Sequence, residues 1–216
     1  MPRFLILIFG LFLGGCSAPP PPNLPAESDL VPDPDDPASI ARWEAGPYNV
    51  FQSKIEVVEL EFFHGSLGDG KPKKPKKVAV RVFGAKKTGI QPEQEAAIKN
   101  LVENEAELFA KAREAIYRYY EESYPVYRKG MELGAAMYGG ADEIDDILPK
   151  IVSGNEIDRL VDLSEVYIHV PHDGKASVGI HCEIEWDPEN GMGVRIDADG
   201  NVTAGSVDLA FQQMDP

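Results

Sequence analysis

"DLSEVYIHVPHDGKASVGIHCEIEWDPENGMGVRI", residues 162–196, decides the fold. Apolar and polar residues alternate from Asp162 to Val170 and again from Ser177 to Trp186, as half-buried strands require. The loop "PHDGKA" joins the two runs, which predicts a hairpin. Val166, Ile168 and Val170 share one face, with Val178, Ile180, Cys182, Ile184 and Trp186 beside them on the partner strand. That face is expected to meet a helix. Tyr167, His169, His181, Glu183 and Glu185 fall on the opposite face, which reads as polar and solvated. Pro188 ends the second strand, and Asn190-Gly191 supplies the positive φ angles of a tight turn. Gly193 suits a bulge or a close backbone approach. The runs "GMGVRI" and "NVTAGSV" then read as a further hairpin around the two-residue signal Asp199-Gly200.

Upstream, "KIEVVELEFF" (residues 54–63) and "KVAVRVFG" (residues 77–84) are rich in β-branched and aromatic residues and read as two more strands. The Gly-, Pro- and Lys-rich loop between them carries Lys71, Lys73, Lys74, Lys76 and Lys77, the one basic cluster of the chain. It is a candidate contact for a membrane or an acidic partner, although a solvated loop is the better reading. A long helix follows, opening near Pro92. Ile98, Leu101, Val102, Leu108, Phe109, Ala112, Ile116 and Tyr120 recur at three- and four-residue spacing, as a core-facing stripe does. Pro125 and Gly130 are expected to end or kink it. Tyr117, Tyr119, Tyr120, Tyr124 and Tyr127 read as packing at the edge of a core rather than as a binding surface. Turns and one or two short helices fill residues 131–160. The expected class is α+β: an antiparallel sheet covered on one face by a long helix, in the order β-β-α-(short helices)-β-β-β-β.

The beginning of the chain carries a different message. Arg3 and the apolar run "FLILIFGLFL" (residues 4–13) lead into "LGGC", small residues ending at Cys16. The run is too short to span a hydrocarbon core of ~30 Å, so residues 1–15 read as a secretory signal peptide. The residues before Cys16 resemble the lipobox of bacterial lipoproteins. That resemblance implies cleavage before Cys16, lipid on its thiol and a bilayer anchor; several acyl chains anchor stably where one does not. Residues 17–39 hold eight prolines and few large apolar side chains. With Cys16 they form an expected tether over 16–39, reaching up to about 70 Å at ~3.1 Å per residue. A single folded domain is expected over 40–216.

With 36 acidic against 21 basic residues, the formal charge is -15. A phosphate backbone rewards clustered Lys and Arg, so nucleic acid is not an expected partner. With Cys16 lipidated, Cys182 has no intrachain partner and reads as a small buried hydrophobe.

Three constellations invite a chemical reading. His169, His172 and His181 lie near one another across the predicted hairpin, with Glu183 and Glu185 close by, but the spacing matches no zinc signature. Asp197, Asp199 and Asn201 alternate like calcium ligands. An EF-type loop needs Gly at its sixth position and a bidentate acid at its twelfth; here Val202 stands at the sixth, so a turn is the better reading. Glu183, Glu185, Asp187 and Glu189 offer the paired carboxylates of a glycosidase, without an aromatic platform on their face. No Ser-centred elbow, phosphate-binding glycine loop or CxxC pair is present. No catalytic residue, metal ligand or cofactor is therefore assigned.

The C-terminal segment resembles a bacterial family of unknown function whose members carry a "WD-x-EHG-x-GV" tail. The residues that carry the resemblance are Val166, Ile168 and His169; Trp186, Asp187, Glu189, Gly191, Gly193 and Val194; and Val202, Gly205 and Phe211. It covers residues 161–211 and departs at Asn190, where the pattern usually has His. Related domains are suspected of serving as immunity or partner-binding modules, which implies binding by analogy only. The expected function is thus a lipid-anchored, extracytoplasmic lipoprotein of the bacterial envelope that is not an enzyme and binds a protein, suited by its acidity to a basic one. The alternative is an envelope hydrolase or metal-binding protein using His169, His181 and Glu183.

Overall fold

The computed structural model describes residues 32–47, 49–61, 65–66, 76–138 and 144–212. The signal peptide, Cys16, most of the tether and Lys71, Lys73 and Lys74 lie outside the described residues. Four strands form the expected meander: β4 (Val161–Ile168), β5 (Val178–Ile184), β6 (Met192–Ile196) and β7 (Val202–Ser206), each antiparallel to the next. Upstream, β1 (Lys54–Leu60) and β3 (Lys76–Val82) form the expected antiparallel pair. A two-residue strand between them, β2 (Gly65–Ser66), pairs with the start of β4.

The class and the order of elements are as expected, but the sheet is mixed rather than antiparallel. Strand order is β1-β3-β4-β5-β6-β7, and β3 runs parallel to β4. The reason is the crossover. Between β3 and β4 the chain builds the helices α2 (Ala85–Thr88), α3 (Pro92–Glu103), α4 (Glu105–Tyr138), α5 (Ile144–Ile147) and α6 (Gly154–Ile157). A long helical connection returns the chain to its starting end, which makes the next strand parallel. No described helix is long and apolar enough to cross a membrane.

The inner face is the one predicted, except that Val170, beyond the end of β4, packs instead with Phe83, Tyr167 and Ala210. Val80, Val82, Val166, Ile168, Val178, Ile180, Cys182 and Ile184 are buried against Leu108, Phe109, Ala112, Ile116 and Tyr120 of α4 and Leu101 of α3. Each valine, leucine, isoleucine or phenylalanine among them contributes roughly 1.5–3 kcal/mol. The predicted helix is two helices, broken at Asn104. The buried stripe continues across the break from Leu101 to Leu108, and Val102 is left exposed. Gln91 and Gln94 cap α3 reciprocally.

Pro125 does not end α4, which runs on to Tyr138. A proline removes one N–H and costs ~3 kcal/mol in a free helix. Tertiary contacts offset that here: Tyr124, Tyr127 and Met131 pack on the core, and the Tyr127 hydroxyl donates to Asp187 at 2.7 Å. The tyrosine cluster is core edge, as read, with Tyr120 fully buried and its hydroxyl donating to the Pro149 carbonyl.

Ahead of the sheet stands α1 (Pro37–Ala45), capped by the Asp36 carboxylate, with Trp43 buried. It begins a little ahead of the expected start of folded structure at residue 40. Glu44 at its end accepts the Ile55 N–H at 2.7 Å, and the Glu105 carboxylate accepts the Glu61 N–H at 2.9 Å. Both N–H groups belong to the outward edge of β1, so the two ends of that edge are stopped by side chains.

Candidate functional site

The outer face of the sheet was expected to be polar and solvated. It is instead covered at two places and open between them. On one side, α1 and residues 49–53 press on β1 and β3, with Phe51 stacked on Phe83 at 4.2 Å between ring centroids. On the other, α7 (Asp208–Phe211) lies on β5 and β6. A Cβ on Gly179 would stand 2.0 Å from the Ala210 carbonyl oxygen, and one on Gly193 would stand 2.6 Å from the Ala210 nitrogen. The two glycines therefore let α7 rest on the sheet backbone to backbone, which agrees with the close approach expected of Gly193.

His169 fastens this cap. Its Nδ1 lies 3.1 Å from Arg195 Nη2 and 2.9 Å from Ser177 Oγ, and its Nε2 lies 2.8 Å from the Ala210 carbonyl. A guanidinium only donates, so Nδ1 accepts and Nε2 carries the proton that bonds Ala210. The ring is neutral and buried. Burial lowers its pKa from 6.5 to about 4; the Ala210 bond opposes this and the Arg195 charge assists it. The folded state thus binds this proton less readily than the unfolded one. Stability from this group is complete above pH 6.5 and is lost as pH falls towards 4, by about 3 kcal/mol in all. Urea unfolding at pH 7 and pH 4.5 should show the drop, and His169→Gln should flatten that part of the pH profile while lowering stability at pH 7.

Between the two caps lies an open cleft of about 300 Å³. Its floor is Arg81, Glu165 and Tyr167; Trp43 and Phe51 form one wall and Phe211 the other. The Arg81 guanidinium sits 4.3 Å over the Trp43 ring and pairs with Glu165, which also accepts the Tyr167 hydroxyl. Burial first, and then the Glu165 charge, push the Tyr167 pKa up, so its hydroxyl stays protonated. The floor is therefore a self-neutralised pair under aromatic walls. At the rim, Val50 is 73% and Phe51 40% exposed. The residues of the cleft can hold an apolar group, and His181 lines it as well.

The histidine and acidic residues singled out by sequence are not brought together. His169 faces Ser177 on the neighbouring strand, His181 faces Glu165 four residues further along, and Glu183 is exposed opposite Asp162. His181 Nδ1 lies 3.1 Å from Ser164 Oγ, and His172 sits in the turn opposite Lys175. No three His, Cys, Asp or Glu side chains of the described residues converge as metal ligands. Cys182 is fully buried, and burial pushes its thiol pKa up. Asp197 turns its carboxylate onto the N–H groups of Asp199 and Asn201, while Asp199 pairs with Lys175, as a turn does. The loop spans residues 197–201, longer than the two-residue turn expected there. The two-residue turn is at Asp173-Gly174, where both φ angles are positive.

The segment 186–194 is an anchor. Trp186 is buried with its ring edge-on to Tyr120 at 4.8 Å. Asp187 accepts from Tyr127 and from the Asn190 amide at 2.8 Å, and its carbonyl accepts the Gly191 N–H at 2.9 Å. Gly191 alone takes positive φ (67°); Asn190 does not, contrary to expectation. Glu189 is exposed. The cleft itself was missed because Trp43, Phe51, Arg81 and Phe211 are distant in sequence; the aromatic residues just before β1 were the available signal.

A family model described as a domain of unknown function (DUF6985) matches residues 54–211. The chain belongs to the DUF6985 family. No curated protein and no solved structure matches the chain. The DUF6985 segment opens with β1 and closes with α7, so it spans both halves of the sheet rather than only the C-terminal quarter where a resemblance was read. The cleft floor and Phe211 belong to the DUF6985 segment, while Trp43, Val50 and Phe51 precede it.

Proposed function

We propose that this chain is a lipid-anchored, extracytoplasmic protein of the bacterial envelope whose DUF6985 domain binds a protein partner, in the manner of an immunity protein, without catalysing a reaction. The observation that carries the binding half is the open aromatic cleft, with Val50 and Phe51 exposed at its rim. Exposed apolar side chains gathered at a concavity mark interaction sites more often than scattered ones do. The acidic composition suits a basic partner. The lipobox-like residues ending at Cys16, with the proline-rich stretch after them, support the anchored half.

Two arms test the reading. Cys16→Ala should abolish lipid labelling and release the protein from membranes; a variant that still fractionates with membranes overturns the anchor. Affinity purification from envelope extract, repeated across salt concentrations, should recover one stoichiometric protein partner. Recovery of none at any ionic strength overturns the binding reading.

A further inference from the structure

Resting on that reading, we propose that the cleft between Trp43, Phe51 and Phe211 accepts one aromatic side chain presented by a basic segment of the partner. Four observations carry this. The first is size: about 300 Å³ of open space suits one large side chain rather than a folded element. The second is the walls. Phe51 already stacks on Phe83, and Phe211 packs edge-on against Tyr167 at 5.0 Å, so an entering ring meets faces and edges arranged for offset or T-shaped contact.

The third is the floor. Arg81 and Glu165 neutralise each other, so a neutral ring enters without stripping water from an uncompensated charge.

The fourth is the margin. Beyond the floor on the same sheet, Glu59, Asp162 and Glu183 are exposed, while the nearby Lys77 is occupied by Asp35 at 2.9 Å. At low salt, where the Debye length reaches ~30 Å, basic residues flanking the ring feel this acidic margin, so they speed encounter and add affinity.

The test uses the full-length chain and three capped tripeptides: Lys-Trp-Lys, Lys-Ala-Lys and Glu-Trp-Glu. In low salt, Lys-Trp-Lys should bind at least tenfold more tightly than either of the others, and Phe51→Ala should weaken it at least fivefold. Phe51 is partly exposed, so that variant should keep its circular dichroism; Phe51→Tyr should restore binding. Equal binding of Lys-Ala-Lys, or a Phe51→Ala variant that binds as well as the parent, overturns the proposal. If a purified partner is found and binds Phe51→Ala undiminished, the binding function stands and only this docking mode falls.

Discussion

Trp186→Ala is expected to lower the unfolding free energy by about 3–5 kcal/mol, the range for deleting a buried aromatic side chain. Trp186 is 2% exposed and closes the end of the core where the β5–β6 turn meets α4. Its ring holds Tyr120 edge-on, and Tyr120 in turn bonds the Pro149 carbonyl of the connection that follows α4. The loss therefore spreads. Once the plug is gone, Asp187 holds Tyr127 less firmly, and the part of α4 beyond Pro125 loses the packing that offsets the proline. Urea unfolding followed by circular dichroism measures the first effect, and faster amide exchange over residues 124–138 measures the second. Trp186→Phe separates packing from polarity. Among the described residues the indole N–H has no hydrogen-bond partner, so the phenylalanine variant should retain more than half of the stability lost in the alanine variant. A phenylalanine variant as unstable as the alanine one would refute the plug.

Gly179→Ala is the second large effect, and it adds atoms rather than removing them. The new Cβ would meet the Ala210 carbonyl oxygen at 2.0 Å and His169 Nε2 at 2.9 Å. The first is backbone and cannot turn aside, so α7 must lift and the His169–Ala210 bond must break. A cost of about 1–3 kcal/mol follows from the overpacking, with the lost bond included. Hydrogen exchange over residues 208–212 should quicken, and the thermal midpoint should fall. Gly130→Ala is the contrast. A Cβ there meets nothing within 4 Å, and the site is an exposed helix interior, so alanine should stabilise by about 0.5–1 kcal/mol. A neutral Gly179→Ala would mean that α7 does not rest on the sheet.

Much of the fold was legible because period-2 alternation is strong where one face is buried. Val178 to Trp186 announced both the strands and the face that meets the helix. The parallel junction of β3 and β4 was not legible, since register between distant strands depends on how the crossover packs. Pro125 misled for a related reason: the anchoring of Tyr127 by Asp187 is a contact across 60 residues, and no local rule anticipates it. His169 sat on the side read as solvated, but α7 and Phe83 cover it, and a short apolar tail such as "DLAF" does not say where it will lie. The histidines looked like a cluster because a hairpin brings residues near in pairing order; the observed register sets His169, opposite Ser177, four positions along the hairpin from His181, opposite Glu165.

The stopped edge of β1 has a consequence for crowding. Crowded chains meet one another often, and sheets with two open edges can recruit copies without limit, each addition exposing a fresh template. Here Glu44 and Glu105 occupy the backbone donors at either end of one margin. Strand addition along β1 is therefore checked at both ends of that strand, however close the neighbouring chains come.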